Sequence, residues 1–266
     1  MRDLNDRVAV VTGGGSGIGR AIALALAPRN VRVVVVDRDA SRAAAVEQEI
    51  VAAGGDGVGR SGDVTVEDDL VAARDLCLER WGRVDIVVNN AGVLAGGRPV
   101  DIPLTEWQRV IDVNLLSVVR SIHVFLPTLL AQGDGHVVNT ASTNGLYPYS
   151  FDRLPYSATK AAIIAVSEAL TLYARPRGVG VTCLCPGPVN TNIAEQVRFS
   201  GELTTIRPPR LGLVTAAAVG DLVVDAIESG RFLVLTHPEV HDILVRHAAD
   251  PDRFLADELA TFDHAD

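Results

Sequence analysis

The chain of 266 residues is poor in cysteine, lysine and aromatic residues, and the cysteine shortage excludes one class of protein at once. Its three cysteines stand in apolar surroundings, so neither a disulfide scaffold nor a cysteine-ligated metal is expected. Cys183 and Cys185 are two positions apart on a predicted strand, so both point to one face, which suits core packing. The histidines are dispersed, and we expect the pair His237 and His241 on a surface helix rather than at a metal.

Long apolar runs and basic clusters are also missing. The longest apolar stretches, such as VRVVVVD at 31–37, have the length of a strand and not of a membrane span. The stretch MRDLNDR at 1–7 is polar and charged, unlike a signal peptide. A net charge of −9 argues against a nucleic acid or an anionic membrane surface as a partner. Because 48% of the residues are hydrophobic, we expect a folded protein. Since neither a signal peptide nor a membrane span is indicated, we expect it in the cytoplasm.

What the sequence contains is a regular alternation of strand-length apolar runs and helical patterns. Continuously apolar strands are typical of a parallel sheet that is buried on both faces. The alternation predicts an α/β fold, a Rossmann-like doubly wound parallel sheet of about seven strands in a single domain covering 1–266. Strands are expected near 7–12, 31–36, 57–60, 84–88, 135–140, 179–184 and 231–235, and helices near 17–28, 40–53, 66–81, 105–131, 156–175 and 215–229.

Two segments depart from this alternation. Residues 186–214 form a long stretch flanked by proline and glycine, with only weak helical character. Long loops beyond the carboxyl end of a parallel strand commonly bind ligands, so we expect a substrate-binding loop there. Residues from about 236 to 266 form a C-terminal extension, whose role the sequence leaves open.

A glycine-rich loop follows the first predicted strand. In TGGGSGIG (12–19), Gly13, Gly17 and Gly19 allow a tight turn and a close approach of backbone N–H groups to phosphate, at the start of a helix. Asp37 ends the second strand, where a carboxylate can accept hydrogen bonds from ribose hydroxyls and repel a 2′-phosphate. This favours NAD over NADP, although the neighbouring Arg38 weakens the preference.

Six short motifs follow one another in a familiar order: TGGGSGIG (12–19), NNAG (89–92), DVNL (112–115), NTAS (139–142), YSATK (156–160) and PGPVNT (186–191). With them the chain resembles the single-domain type of the short-chain dehydrogenase/reductase family. The resemblance covers the chain to about residue 235. It implies an enzyme that acts on CH–OH groups with a nicotinamide cofactor, assembled as a homodimer or homotetramer.

The resemblance also implies particular site residues. The catalytic set would be Asn114, Ser142, Tyr156 and Lys160. The interval from Ser142 to Tyr156 is one residue longer than is usual in the family, which predicts an insertion in GLYPYSFDRLP (145–155). The cofactor groove would be formed by Gly13, Ser16, Gly17, Ile18, Gly19, Asp37, Arg38, Asp63, Val64, Asn90, Ala91, Gly92, Tyr156, Lys160, Pro186, Val189 and Thr191. No metal is implied.

The chemistry explains why lysine stands at position 160, although it is the only lysine among 24 basic residues. A tyrosine acts as a base near neutral pH only if its pKa falls from about 10 by about three units, which requires about 4 kcal/mol. A positive charge about 4 Å away supplies about that much at an effective dielectric near 20. Tyr156 and Lys160 are four residues apart and so share one face of a helix. The broader guanidinium of arginine fits such a site poorly.

Ser142 is expected to donate a hydrogen bond to the substrate oxygen, or else to cap the backbone at the end of a strand. Asn114 is implied to hold a water that links Lys160 to solvent, or else to be a buried structural amide. Mostly apolar residues surround the expected site, which predicts a hydrophobic secondary alcohol or ketone, unless Arg153 recruits a carboxylate. These residues are Leu94, Tyr147, Tyr149, Phe151, Leu154, Ile193, Val197 and Phe199.

The favoured function is therefore an NAD(H)-dependent oxidoreductase that interconverts a secondary alcohol and a ketone. One alternative is an NADPH-dependent ketone or 3-oxoacyl reductase, against which Asp37 argues. The other is a non-enzymatic, cofactor-sensing protein on the same fold, which need not retain the Tyr156–Lys160 pair.

Overall fold

The computed structural model describes residues 3–191, 193 and 196–262. The described strands are β1 (Val8–Thr12), β2 (Arg32–Asp37), β3 (Gly57–Ser61), β4 (Ile86–Asn89), β5 (Ala95–Gly97), β6 (Gly135–Thr140), β7 (Val179–Cys185), β8 (Val189–Asn190), β9 (Arg198–Ser200), β10 (Val214–Thr215) and β11 (Leu233–Leu235). The described α-helices are α1 (Gly17–Leu26), α2 (Ala40–Ala52), α3 (Glu67–Trp81), α4 (Leu104–Val110), α5 (Ser117–Gln132), α6 (Leu154–Ala174), α7 (Ala216–Ser229), α8 (Val240–Ala249) and α9 (Pro251–Leu259).

Seven parallel strands form the main sheet, in the order β11-β7-β6-β4-β1-β2-β3. The order reverses beside β1, which is the switch point of a doubly wound sheet. This confirms the predicted Rossmann-like α/β fold. The short strands form two further pairs, β5 with β9 and β8 with β10, and both lie outside the predicted strands.

The valine run of β2 shows why the sheet is buried on both faces. Val33 and Val35 belong to a core cluster with Ile22 of α1, whereas Val34 and Val36 belong to a second cluster on the opposite face. Successive side chains of a strand point to opposite faces, so an unbroken valine run serves two helical layers.

The long helical pattern predicted at 105–131 is a helix of two parts. α4 and α5 are joined by a π-helical turn, Ile111–Leu116, which inserts an extra residue into the helical repeat. The whole helix, Leu104–Gln132, has a mean hydropathy of 1.6 in its most apolar window, enough by length and composition for a membrane span. Charged residues such as Arg109, Asp112 and Arg120 divide this helix, so its sequence contains no apolar run long enough to suggest a membrane span. Its apolar inner face, including Phe125 and Leu129, is buried in the core, as in a core helix of this type.

The C-terminal extension continues past β11 into α8 and α9, neither of which the periodicity predicted. His241 is exposed on α8, as expected. The expectation is wrong for His237, which precedes α8 and is buried. Its Nε2 lies 2.7 Å from the carbonyl oxygen of Gly212 and its Nδ1 lies 2.8 Å from the Thr236 hydroxyl, so it ties the end of the 186–214 segment to the extension.

All three cysteines are buried and free, as predicted. The Cys183 and Cys185 sulfurs lie 3.9 Å apart on one face of β7.

Candidate active site

A cleft of about 750 Å³ opens at the carboxyl ends of the central strands. Nearly all of the predicted cofactor residues line it: Gly13, Ser16, Gly17, Ile18, Asp37, Arg38, Asp63, Val64, Asn90, Ala91, Gly92, Tyr156, Lys160, Pro186, Val189 and Thr191. Gly19 does not line the cleft. It lies behind the loop, where an added Cβ would come 2.2 Å from the carbonyl oxygen of Gly13, so its role is to let α1 approach the loop.

The glycine loop forms a cradle at the start of α1. Gly13 and Gly17 have φ values of +59° and +54°, which side chains other than glycine adopt with strain. A Cβ at Gly13 would lie 2.9 Å from the Cα of Ala91 on the other side of the cleft. The cradle therefore leaves backbone N–H groups and the positive end of the helix open to an anion, so it fits the pyrophosphate of a dinucleotide.

Asp37 has a second role that the sequence did not reveal. Its Oδ2 accepts a hydrogen bond from the N–H of Gly15 at 2.9 Å, and its Oδ1 accepts one from the N–H of Asp39 at 3.0 Å. The carboxylate thus fixes the glycine loop to the end of β2. It lines the cleft together with Arg38 and Arg42, so charges of both signs face the place expected for the adenosine ribose.

Tyr156 and Lys160 lie on one face of α6, as their spacing predicted. Helix α6 begins at Leu154, so the two residues occupy successive turns at its start. The Lys160 Nζ is 5.5 Å from the centre of the Tyr156 ring, and it donates a 2.7 Å hydrogen bond to the carbonyl oxygen of Thr140. The ammonium group is therefore held beneath the phenol at the carboxyl end of β6.

Burial shifts the pKa values of both groups toward their neutral forms. It raises the pKa of the Tyr156 phenol, while a hydrogen bond with Ser142 and the charge of Arg153 act in the opposite direction. Burial lowers the pKa of Lys160 to about 8, so the amine still carries a proton at neutral pH. The lowered phenol pKa that we expected from the lysine is thus not found, because burial outweighs the hydrogen bond with Ser142 and the charge of Arg153.

Ser142 follows β6 and caps the backbone there, which is one of the two roles considered for it. It is buried beside Tyr156, and its hydroxyl accepts a hydrogen bond from the N–H of Asn144 at 3.2 Å, which caps a short 3-10 turn. The same hydroxyl lies 3.4 Å from the carbonyl oxygen of Pro186. Backbone contacts therefore position the hydroxyl next to the phenol.

Asn114 lies in the π-helical turn and is fully buried. Its Oδ1 accepts a hydrogen bond from the N–H of Val93 at 2.8 Å, and its Nδ2 donates to the Val93 carbonyl at 3.0 Å. A Cβ placed at Gly92 would lie 3.5 Å from the Asn114 Oδ1 and 3.6 Å from the Lys160 Nζ. The amide is structural, and it also brings a polar atom close to the lysine.

The residues predicted to surround the substrate fall into two groups. Four of them line the cleft: Leu94, Tyr149, Ile193 and Val197. The others do not: Leu154 begins α6, Phe199 packs over Gly96 in the β5–β9 pair, and Tyr147 and Phe151 contact aromatic residues of the C-terminal extension. The segment between Ser142 and Tyr156 thus turns partly away from the cleft.

Several lining residues had no signal in the sequence: Arg109, Val113, Gln196, Arg198, Ile206 and Pro209. Most of them come from the 186–214 segment, which folds back so that β9 pairs with β5. That pairing joins distant parts of the chain, so no local spacing could indicate it. Glu106 forms ion pairs with Arg109 at 2.7 Å and with Arg198 at 3.5 Å, so the two guanidinium groups share one carboxylate.

Arg153 is not available to a substrate carboxylate. Its side chain is buried, and its Nε donates to the Asp152 carboxylate at 2.6 Å. The ion pair cancels the charge that the sequence offered for recruiting a carboxylate.

Known proteins share the sequence pattern and the fold described above. A sequence model described as short chain dehydrogenase matches residues 7–200. A cyclohexanol dehydrogenase of Acinetobacter sp. (strain SE19) is 35% identical over 210 residues, which cover 78% of this chain and 83% of the relative.

Two solved structures are similar in both fold and sequence. A short chain dehydrogenase/reductase from Burkholderia phymatum in complex with NAD has a TM-score of 0.86 at 33% identity, over 95% of this chain and 96% of the other. A 3-ketoacyl-ACP reductase from Sinorhizobium meliloti 1021 has a TM-score of 0.77 at 33% identity, over 86% of this chain and 97% of the other.

One cleft at the edge of the parallel sheet contains both the glycine cradle and the Tyr156–Lys160 pair. The match to the family model extends over most of the chain. The chain belongs to the short-chain dehydrogenase/reductase family and is an oxidoreductase that acts on CH–OH groups with a nicotinamide cofactor.

Proposed function

We propose that the protein is an NAD-dependent dehydrogenase that interconverts an apolar secondary alcohol and its ketone. The observation that carries this proposal is the convergence of Ser142, Tyr156 and Lys160 on the end of the cleft that Leu94, Ile193 and Val197 also line. A hydroxyl donor, a phenol and an ammonium group there adjoin an apolar surface on which a neutral ring or chain can rest.

The cofactor would lie along the cleft from Asp37 to Tyr156. The glycine cradle would hold its pyrophosphate, and Asp37 would accept hydrogen bonds from the adenosine ribose. Asp63 and Val64 would border the adenine, and the 90–92 segment would line the groove. Pro186, Val189 and Thr191 would hold the nicotinamide carboxamide, and Lys160 would bind the second ribose.

In the reaction, the bound cofactor supplies the hydride acceptor. The Tyr156 oxygen takes the hydroxyl proton of the alcohol as the C–H hydride leaves. The Ser142 hydroxyl donates a hydrogen bond to the substrate oxygen. The Lys160 ammonium, with its Nζ 5.5 Å from the centre of the Tyr156 ring, favours the phenolate and so opposes the effect of burial. We propose that Asn114 holds a water on the proton path between Lys160 and solvent.

The substrate pocket favours a neutral molecule because its two least exposed arginines are already paired. Arg153 is bound to Asp152, and Arg109 is bound to Glu106. The similarity to a cyclohexanol dehydrogenase supports an alicyclic secondary alcohol as the substrate class.

The test is steady-state kinetics with a panel of cyclic secondary alcohols, linear secondary alcohols and 2-hydroxy acids, each with NAD⁺ and with NADP⁺. We expect the highest kcat/KM for a cyclic alcohol with NAD⁺. A preference for the charged 2-hydroxy acids would overturn the proposed substrate class.

A second candidate is an NADPH-dependent ketone or 3-oxoacyl reductase. Arg38 and Arg42 line the cleft beside Asp37 and could accept a 2′-phosphate, and a 3-ketoacyl-ACP reductase is among the similar structures. A kcat/KM for ketones that is higher with NADPH than with NADH would favour this candidate.

We also propose a cytoplasmic homo-oligomer, a dimer or a tetramer, with residues 186–214 as the substrate-binding loop. Exposed apolar side chains on α5 and α6 support the assembly. Val119 on α5 is 46% exposed, and Leu172 and Tyr173 on α6 are 80% and 50% exposed. Apolar surface of this kind is typical of subunit contacts.

A further inference from the structure

The lengthened interval between Ser142 and Tyr156 contacts the C-terminal extension. Tyr147, within the lengthened 142–156 interval, packs edge-on against Phe254 of α9, with ring centres 6.3 Å apart. Phe151 packs against Phe262, just beyond α9, at 5.7 Å. The match to the family model ends at residue 200, so both C-terminal phenylalanines lie beyond the residues that it matches.

A buried ion pair connects the lengthened interval to the substrate loop. Asp152 and Arg153 are each 4% exposed and bind one another at 2.6 Å. Asp152 Oδ2 also accepts the backbone N–H of Arg207 at 2.5 Å, and Arg153 donates to the Arg207 carbonyl oxygen. The peptide groups on both sides of Arg207 are thus held by charged side chains within a few residues of Tyr156.

The side chain of Arg207 points the other way, to the C-terminal segment. Its guanidinium donates to the Thr261 hydroxyl at 2.6 Å and to the Thr261 carbonyl oxygen at 3.2 Å. Its central carbon lies 3.8 Å from the centre of the Phe262 ring. A planar guanidinium stacks on an aromatic face and forks to two acceptors, which a lysine side chain cannot reproduce.

The residues on either side of this contact reach the active site. Ile206 and Pro209 line the cleft together with Tyr156. Residues 202–213 have no regular secondary structure, so side-chain contacts must fix their position. Around Arg207, the contacts with Asp152 and Arg153 on one side and with Thr261 and Phe262 on the other do so.

We propose that the C-terminal segment 251–262 is a latch on the substrate loop, and that Arg207 is the positioning residue through which it acts. The latch presses Ile206 and Pro209 against the substrate and so selects the size of alcohol that binds productively. This selection by size rests on the proposed function.

The main test compares Arg207→Ala with the double variant T261A/F262A, which removes the other half of the contact. With a cyclic secondary alcohol, either variant should raise KM about tenfold, while 2-propanol, too small to reach the loop, should be turned over unchanged. The affinity for NAD should remain that of the parent. Arg207→Lys should raise KM almost as much as Arg207→Ala. Arg253→Ala, at an exposed arginine on α9, is the control and should change nothing.

Combining the variants tests whether both act through one contact. R207A/T261A/F262A should raise KM no further than R207A alone, because residues in one contact are not additive. Fully additive effects, or equal losses with the cyclic alcohol and 2-propanol, would overturn the latch.

A protease experiment tests the latch without any turnover. Trypsin cleaves after Arg210, whereas Pro208 protects the bond after Arg207. We expect cleavage after Arg210 to be about tenfold faster in T261A/F262A than in the parent, because the loop is released. Unchanged cleavage would overturn the latch. If no alcohol is oxidised but cleavage accelerates, the proposed function fails and the latch stands.

Discussion

Lys160 occupies a place that leaves room for a primary amine and little more. It is 3% exposed, its Nζ is bound to the Thr140 carbonyl, and a Cβ at Gly92 would already lie 3.6 Å away. A guanidinium adds two nitrogen atoms in a plane, each of which needs a partner when it is buried. The only lysine of the chain stands where an arginine would leave donors unpaired.

Lys160→Arg should therefore lower kcat/KM for alcohol oxidation about 100-fold, because the larger head group is displaced from the phenol. Steady-state kinetics and a thermal unfolding curve measure the two consequences. Arg175→Lys, an exposed change of the opposite sense, is the control and should leave both values unaltered.

Tyr156→Phe should lower kcat by roughly 10²–10⁴, because the proton acceptor is removed while the ring remains. The cofactor should still bind, which titration of intrinsic fluorescence can measure. Turnover at the parental rate would show that another group takes the proton.

The pH dependence of the reaction follows from the same residue. Burial raises the pKa of the phenol, and the phenolate is the form that accepts a proton, so oxidation should accelerate as the pH rises. Reduction requires the protonated phenol and should slow over the same range. Rates measured in both directions between pH 6 and 10 should move oppositely, and parallel profiles would contradict the assignment.

Most of the cleft could be predicted at the level of single residues, because motifs that hold a phosphate or activate a phenol are local in sequence. The glycine loop and the Tyr156–Lys160 pair are of this kind. The pKa of Tyr156 could not be predicted from the spacing to Lys160, because burial depends on the packed environment. The neutralisation of Arg109 by Glu106 was equally hidden.

Among the secondary-structure elements, the β6–β7 pair contains an unusual buried histidine. His136 of β6 lies opposite Gly180 of β7, where a Cβ would come 2.5 Å from its Nδ1. Its Nε2 is 2.8 Å from the hydroxyl of Thr182, which itself donates to the Arg231 carbonyl. Since the Thr182 proton is already used, Nε2 must be the donor, and burial lowers the pKa of His136 to about 3.

This histidine should make the fold sensitive to mild acid. The unfolded chain takes up a proton near the ordinary pKa of 6.5, whereas the folded site resists down to about 3, so stability is lost as the pH falls between these values. The loss attributable to His136 should be about 2 kcal/mol at pH 5.

His136→Gln tests this in urea unfolding at pH 7.5 and pH 5. The variant should be less stable at pH 7.5 but should lose about 2 kcal/mol less than the parent on acidification. His123→Gln changes a histidine whose side chain is 76% exposed and is the control. Equal pH dependence in H136Q and the parent would show that the buried imidazole is not responsible.

The sequence predicted the main elements well, because valine runs and helical periodicity are strong local signals. The seven strands of the sheet and its flanking helices follow the predicted ranges within a few residues. The pairs β5–β9 and β8–β10 were missed because strands of two or three residues carry almost no periodicity. α8 and α9 were missed because proline and acidic residues interrupt their apolar pattern.

For the whole molecule, the exposed apolar residues of α6 are where we propose that the subunits meet. Leu172→Asp should shift the protein toward the monomer, because a charge would be desolvated in a subunit contact. Size-exclusion chromatography with light scattering measures the mass. Val51→Asp on α2 places the same charge at another exposed apolar residue, so it is the control and should leave the mass unchanged.

Contacts between distant segments were what the sequence could not predict at this scale. Nothing in GLYPYSFDRLP indicates that its aromatic residues meet Phe254 and Phe262, more than 100 positions away. Such contacts depend on the path of the whole chain around the sheet, and one sequence contains no trace of which distant surfaces meet.

The π-helical turn at 111–116 has a consequence for how this chain tolerates changes in length. An α-helix advances by about 100° for each residue, so removing one residue there would restore ordinary winding and swing Asn114 about a quarter-turn away from Val93. The deletion would break the hydrogen bonds between the Asn114 amide and Val93 even if every remaining side chain on that face were unchanged. A single-codon deletion in this turn should be more harmful than most exchanges of its side chains, because the number of residues in the turn sets the direction in which Asn114 points.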